Sequence, residues 1–199
     1  KTDEQAFALL QGLSDSVRER ESAINFMFRE RAVLNANLER WCRQGKPEDL
    51  PAQREAAARI QRCWAKEDSV RGVPYELILD DLALNDLPPL GAYFGHVKLL
   101  SLKNNRLETI PTSFFRCFPQ LRWVFFNGNH LQRLPVGLAQ LGYLSLLNLS
   151  NNRLKLQLGD VILLAEMTSL VTLDLSVNPL RLGQRLKLHG LKKLRVLNL

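Results

Sequence analysis

Along the second two thirds of the chain, apolar and polar positions repeat with a fixed beat. Val97-Lys-Leu-Leu100-Ser-Leu102-Lys-Asn-Asn105-Arg-Leu107 sets out the pattern, and Leu121 to Leu131, Leu144 to Leu154 and Leu170 to Leu180 follow it with Asn129, Asn152 and Asn178 in the same place. A further copy begins at Leu194-Arg-Val-Leu197-Asn-Leu199. The fourth place of successive copies falls at Leu100, Val124, Leu147, Leu173 and Leu197, steps of 24, 23, 26 and 24 residues. Such a period is too short for each unit to bury its own apolar edge, so units must stack and share one continuous core. The first, fourth and sixth places fill that core. The invariant asparagine satisfies backbone groups where the chain leaves its strand, because buried polar groups need partners.

This spacing, LxxLxLxxNxL, resembles the leucine-rich repeat. The resemblance implies an α/β leucine-rich-repeat solenoid with a parallel sheet on its concave side and irregular or short helical returns on its convex side. The Ile110-Pro111 and Leu134-Pro135 pairs mark the turn after the motif, whereas Gln157-Leu158 and Arg181-Leu182 depart from it. Leu77 to Pro88 aligns with Leu100 to Pro111 except that Leu82 stands where the asparagine belongs, which reads as a degenerate first coil. At the other end Leu199 falls three residues before the expected asparagine, so the sequence reads as cut inside a longer protein.

Before the repeats the period changes to that of a helix. Val17, Ile24, Phe28, Leu34, Leu38 and Trp41 predict a helix over 16–43, opened by a capping box at Ser16 and Glu19 and stopped by Gly45 and Pro47. Pro51 opens a second helix with Ala56, Ile60, Cys63 and Trp64 on one side, and residues 4–13 predict a short third. The chain therefore divides into a helical segment over 1–70 and a repeat array over 71–199. The helices are expected to cap the open edge of the first coil.

Composition narrows the chemistry. The net charge of +7 comes entirely from the array, since residues 1–70 hold 12 basic and 12 acidic side chains against 15 and 8 over residues 71–199. The acid-free run containing Arg181, Arg185, Lys187, Lys192, Lys193 and Arg195 is a second surface suited to an acidic partner. No recognition helix or aromatic-basic module accompanies this charge, so nucleic acid is not expected. No run is long and apolar enough for a membrane span. Cys42, Cys63 and Cys117 stand far apart with no ligand spacing, which argues against zinc and a disulfide framework. His96, His130 and His189 adjoin no nucleophile and no phosphate-cradling glycine loop follows a strand, so neither catalytic residue nor cofactor is expected here.

Side chains alternate across a strand, so the third, fifth, seventh and eighth places look into the concave face. The third place runs Glu76, Leu99, Trp123, Leu146, Thr172, Val196, and the fifth runs Ile78, Ser101, Phe125, Asn148, Asp174, Asn198. Ile78, Leu99, Trp123, Phe125 and Leu146, edged by Lys103, Asn127 and Asn148, are the candidate binding residues for a protein partner.

With Leu77 to Pro88 leading into Phe94-Gly95-His96-Val97, and Gln61-Arg-Cys-Trp64 before it, residues 16–199 resemble bacterial effectors carrying the novel E3 ligase domain. That resemblance implies a secreted protein acting in the host cytoplasm, whose repeats choose a host substrate and whose separate helical domain transfers ubiquitin from a catalytic cysteine. The steps of 23 to 26 residues fit a larger, toxin-like member better than the compact ones. The family's cysteine is followed two places later by Asp; Gln44, Ala65 and Pro119 stand there instead, so none of the three cysteines inherits the role. A scaffold or adaptor with no enzyme attached is the alternative.

Overall fold

A computed structural model describes residues 2–65, 75–180 and 190–199, with side chains described over 16–65, 76–180 and 190–199. The proposed boundary near residue 70 lies outside the described residues, as do Arg181, Arg185, Lys187 and His189 of the basic run.

The chain starts with helix α1, Thr2–Gln44. It is one helix where two were expected, because residues 2–44 hold no proline and the single glycine, Gly12, costs only about 1 kcal/mol in a helix interior. Ser16 is therefore mid-helix and its capping box is not formed. The expected apolar side is buried only in its second half. Leu34, Leu38 and Trp41 are covered, while Val17, Ile24 and Phe28 are 54%, 52% and 65% exposed. After the stop at Gly45, α2 (Leu50–Ala65) buries Ala56, Ile60, Cys63 and Trp64 as its spacing predicts.

Among the described residues six parallel strands follow in sequence order: β1 Tyr75–Ile78, β2 Val97–Ser101, β3 Trp123–Phe125, β4 Leu146–Asn148, β5 Thr172–Asp174 and β6 Val196–Asn198. Helix α2 closes the open edge of β1, and α1 packs on α2 and on the segment after that strand. Arg59 of α2 donates to the carbonyls of Ile78 and Asp80 at 3.5 and 3.4 Å, and Trp41 Nε1 of α1 donates to Asp86 at 3.1 Å. Asn37 Nδ2 reaches the Leu90 carbonyl at 3.3 Å, and Asn85 reaches Asp49 at 2.9 Å.

Inside the array the first, fourth and sixth places from Val97 to Leu175 are fully buried. Between coils runs a ladder of asparagines. Asn152 Nδ2 donates to the carbonyls of Leu149 and Ser150 in its own coil, at 3.0 and 3.2 Å, and of Phe126 in the coil before, at 2.9 Å. Its Oδ1 accepts the amide of Leu131 at 3.0 Å. Asn105, Asn129 and Asn178 repeat the arrangement, taking the amides of Leu84, Leu107 and Leu154. The first coil has no earlier coil to bond to, and there Leu82 packs half-buried against the core instead.

The returns differ by coil. Pro111 and Pro135 lead into the short helix α3 (Thr112–Phe115) and a 3-10 turn (Val136–Gln140). Gln157 instead caps α4 (Leu158–Glu166), whose nine residues fill the longest step. The buried Asp160 of α4 accepts from the amides of Gln157 and Leu134, at 2.8 and 3.2 Å, and from Arg133 Nε at 2.8 Å, which locks this helix to the preceding return. A further repeating letter stands three residues before the first place: Phe94, Phe118, Leu141, Met167 and Leu191, all buried. Phe94 and Phe118 stack across coils with ring centres 5.1 Å apart.

The eighth place is left-handed in every coil from Asp81 to Val177. Its φ is 59° at Asp81, 52° at Asn104, 71° at Gly128, 51° at Asn151 and 54° at Val177. Asp, Asn and Gly tolerate this region, but a β-branched residue does not.

These assignments fix three stabilities, measured by chemical denaturation. Leu147→Ala should lose roughly 2–5 kcal/mol to a cavity between coils, and Asn152→Ala about 1–3 kcal/mol from unpaired backbone groups. Val177→Asn should gain about 1 kcal/mol by relieving the left-handed valine. Unchanged stability in the first two would show that these are not interior positions.

Candidate strand-face site

Strand register lines up the two candidate rows. Glu76, Leu99, Trp123, Leu146, Thr172 and Val196 are Cα partners in succession, as are Ile78, Ser101, Phe125, Asn148, Asp174 and Asn198. Leu99, Trp123 and Leu146 therefore stand side by side on neighbouring strands, and all three are half-buried. Phe125, also half-buried, stands two residues from Trp123 on the same strand. Ile78 is set apart, because the buried Ser101 lies between it and Phe125 in its row.

The polar members have structural tasks that the sequence did not show. Asn148 Oδ1 accepts from the Ser150 amide and hydroxyl at 2.9 and 2.8 Å, closing the turn after β4. Asp174 does the same after β5, taking the Ser176 amide and hydroxyl at 3.0 and 2.7 Å. Partial burial pushes the Asp174 carboxyl up, but the donors Ser176 and Asn198 outweigh it and hold the group below its ordinary value. In the second coil the acceptor is borrowed: Asp80 of the first coil takes the Ser101 hydroxyl at 2.6 Å and the Lys103 amide at 2.8 Å.

The third coil breaks this rule. Phe125 occupies the fifth place and cannot accept a hydrogen bond, and the Asn127 Oδ1 two residues on is buried without a partner. Lys103 Nζ lies 4.6 Å from the centre of the Phe125 ring, a cation–π contact. Immediately before the third-place row, Lys98 and Arg122 are exposed, so one flank of the apolar residues is cationic.

Burial pushes the thiols of Cys42 and Cys117 up, away from the reactive thiolate. His96 Nε2 lies 3.2 Å from the Cys63 carbonyl oxygen. No group of His, Cys, Asp and Glu among the described residues stands close enough together to hold a metal. No helix among them is long and apolar enough to cross a membrane.

Residues 95–154 match the family profile described as leucine rich repeat. The array is a leucine-rich-repeat region. It is similar to a leucine-rich-repeat protein of Leptospira interrogans at 27% identity and a TM-score of 0.51, over 59% of this chain and 29% of that one. It is likewise similar to a chain in the SNF/U2A′ complex of Drosophila melanogaster at 25% identity and a TM-score of 0.50, over 62% of this chain and 71% of that one. The chain thus spans less than a third of the length of its Leptospira relative. No curated protein matches it in sequence.

Sequence reading missed two things at this site. One is the turn acceptor at the fifth place, whose signal is the Asn-x-Ser and Asp-x-Ser pairs at Asn148 and Asp174. The other is the covering of Ser101, which depends on Asp80 in another coil and leaves no local signal.

Proposed function

We propose that the strand face over β2, β3 and β4 docks a protein partner, with Trp123 and Phe125 as its anchors. The observation that carries this reading is the third coil. Its neighbours spend the fifth place, or an aspartate reaching across, on closing the turn after the strand. The third coil forgoes that bond, leaves Asn127 Oδ1 unpaired and presents an aromatic ring. Local rules broken without a stabilising return mark functional positions. Aromatic side chains at the centre of a patch dominate affinity in many interfaces. The basic run is the competing surface, and its Lys192 and Lys193 are exposed.

The resemblance to novel E3 ligase effectors extends this proposal to the parent protein. On that reading residues 1–199 are the substrate-recognition part of a secreted bacterial effector acting on a host protein, and the ubiquitin-transferring cysteine lies elsewhere. The alternative is a leucine-rich-repeat scaffold without enzymatic activity. Mixed with ubiquitin, activating enzyme and charged conjugating enzyme, residues 1–199 should not discharge the thioester. Discharge lost on Cys63→Ala or Cys117→Ala would refute that placement of the catalytic part.

The docking site itself is tested by capturing partners with wild type, Trp123→Ala and a Lys192→Glu/Lys193→Glu double reversal, then measuring each captured protein by calorimetry. Trp123→Ala should weaken binding by about 2 kcal/mol or more with little change in melting temperature. The reversals should alter mainly association rate and salt dependence. Normal binding by Trp123→Ala with capture abolished by the reversals would move the docking surface to the basic coil.

A further inference from the structure

The geometry points to the kind of protein segment this face accepts, an inference that rests on the docking site just proposed. We propose that the occupant is an amphipathic α-helix of the partner, lying across the strands along the axis of the array, with apolar residues at i, i+3 or i+4, and i+7 and acidic residues along one side.

Three features lead there. The first is spacing. Leu99, Trp123 and Leu146 are register partners on consecutive strands, and adjacent strands stand about 4.8 Å apart. A helix advances about 5.4 Å per turn, so one side chain from each of three turns meets these three residues in order. An extended segment running the same way presents a side chain to one face every ~6.7 Å, and it falls out of step within the patch.

The second feature is the state of the backbone. From β2 to β4 every strand is paired on both sides, so no free edge exists there to which an extended peptide could add as a further strand. A helix satisfies its own backbone and needs only side-chain contacts from this surface.

The third is charge. The place before the apolar row runs Lys98, Arg122, Ser145, Val171 and Arg195, with no acid among them. Lys98, Arg122 and Arg195 are exposed. On the opposite side of the row the acids are engaged: Asp80 takes the Ser101 hydroxyl and Lys103 amide, and Asp81 takes Asn104 Nδ2 at 2.9 Å. The two flanks therefore differ, and a helix with Asp or Glu on one side of its apolar stripe has a single favoured orientation.

A displayed library of random 18-residue peptides, selected on residues 1–199, supplies the probe. Clones that bind wild type and lose at least tenfold in affinity on Trp123→Ala are sequenced. Their synthetic peptides are then studied by circular dichroism, free and bound. The proposal expects apolar residues at i, i+3 or i+4, and i+7 with Asp or Glu beside them, helical signal gained on binding, and tenfold or greater weakening by the Lys98→Glu/Arg122→Glu pair. Trp123-dependent peptides that bind without helix, or with apolar residues at every second position, would overturn the helix and leave the docking site standing. Trp123-dependent helices indifferent to the charge reversal would overturn the acidic flank. Selected peptides that all ignore Trp123 would overturn both this inference and the docking site beneath it, provided the variant melts as wild type does. Leu146→Ala serves as the second probe of the row should Trp123→Ala melt lower.

Discussion

The asparagine that follows each strand from β2 to β5 is the constraint on which the array depends. Leaving a strand exposes a carbonyl and an amide to the interior, where unpaired polar groups cost about 1–3 kcal/mol each. One carboxamide answers both, and does so across a coil boundary, since Asn129 donates to the Leu102 and Phe126 carbonyls and accepts from Leu107. No aliphatic residue can do this, and an aspartate would lack the donor. The same bond pattern fixes strand register, and register is what places Leu99, Trp123 and Leu146 side by side.

Where the ladder has no partner, the chain substitutes another device. Before the first coil there is nothing to accept Asn bonds, so Leu82 replaces the amide and α2 closes the edge with Arg59 bridging two carbonyls of the first coil. Helix α2 thus does for β1 what each preceding coil does for the strand after it. The cap uses only part of α1: Leu34, Leu38 and Trp41 are committed, and Val17, Ile24 and Phe28 remain exposed.

The fold was legible because its signal is periodic. Apolar residues, mostly leucine, at three core places and one asparagine recur four times, and no helical or alternating pattern imitates that. Both candidate rows followed from the same letters, since alternation along a strand leaves no freedom once the core places are known. The helical front end was legible as helix but not in extent. Ser16 and Glu19 carry a capping signature, yet without a proline or a second glycine the helix continues through them. The spine of Phe94, Phe118, Leu141, Met167 and Leu191 was equally periodic in sequence, though it lies outside the strand motif. What stayed hidden were contacts made by one coil on behalf of another. Asp80 capping the turn of the second coil, and Asp160 tying α4 to Leu134 and Arg133, depend on stacking and have no local sequence mark.

Native-state hydrogen exchange tests the central claim most directly, because the ladder assigns the amides of Leu107 and Leu131 to Asn129 and Asn152. Both amides should exchange only through the largest openings of the array, and Asn129→Ala should speed exchange at Leu107 far more than at Leu154 two coils on. Equal, rapid exchange at these amides in wild type, or an Asn129→Ala variant with Leu107 still fully protected, would contradict the account.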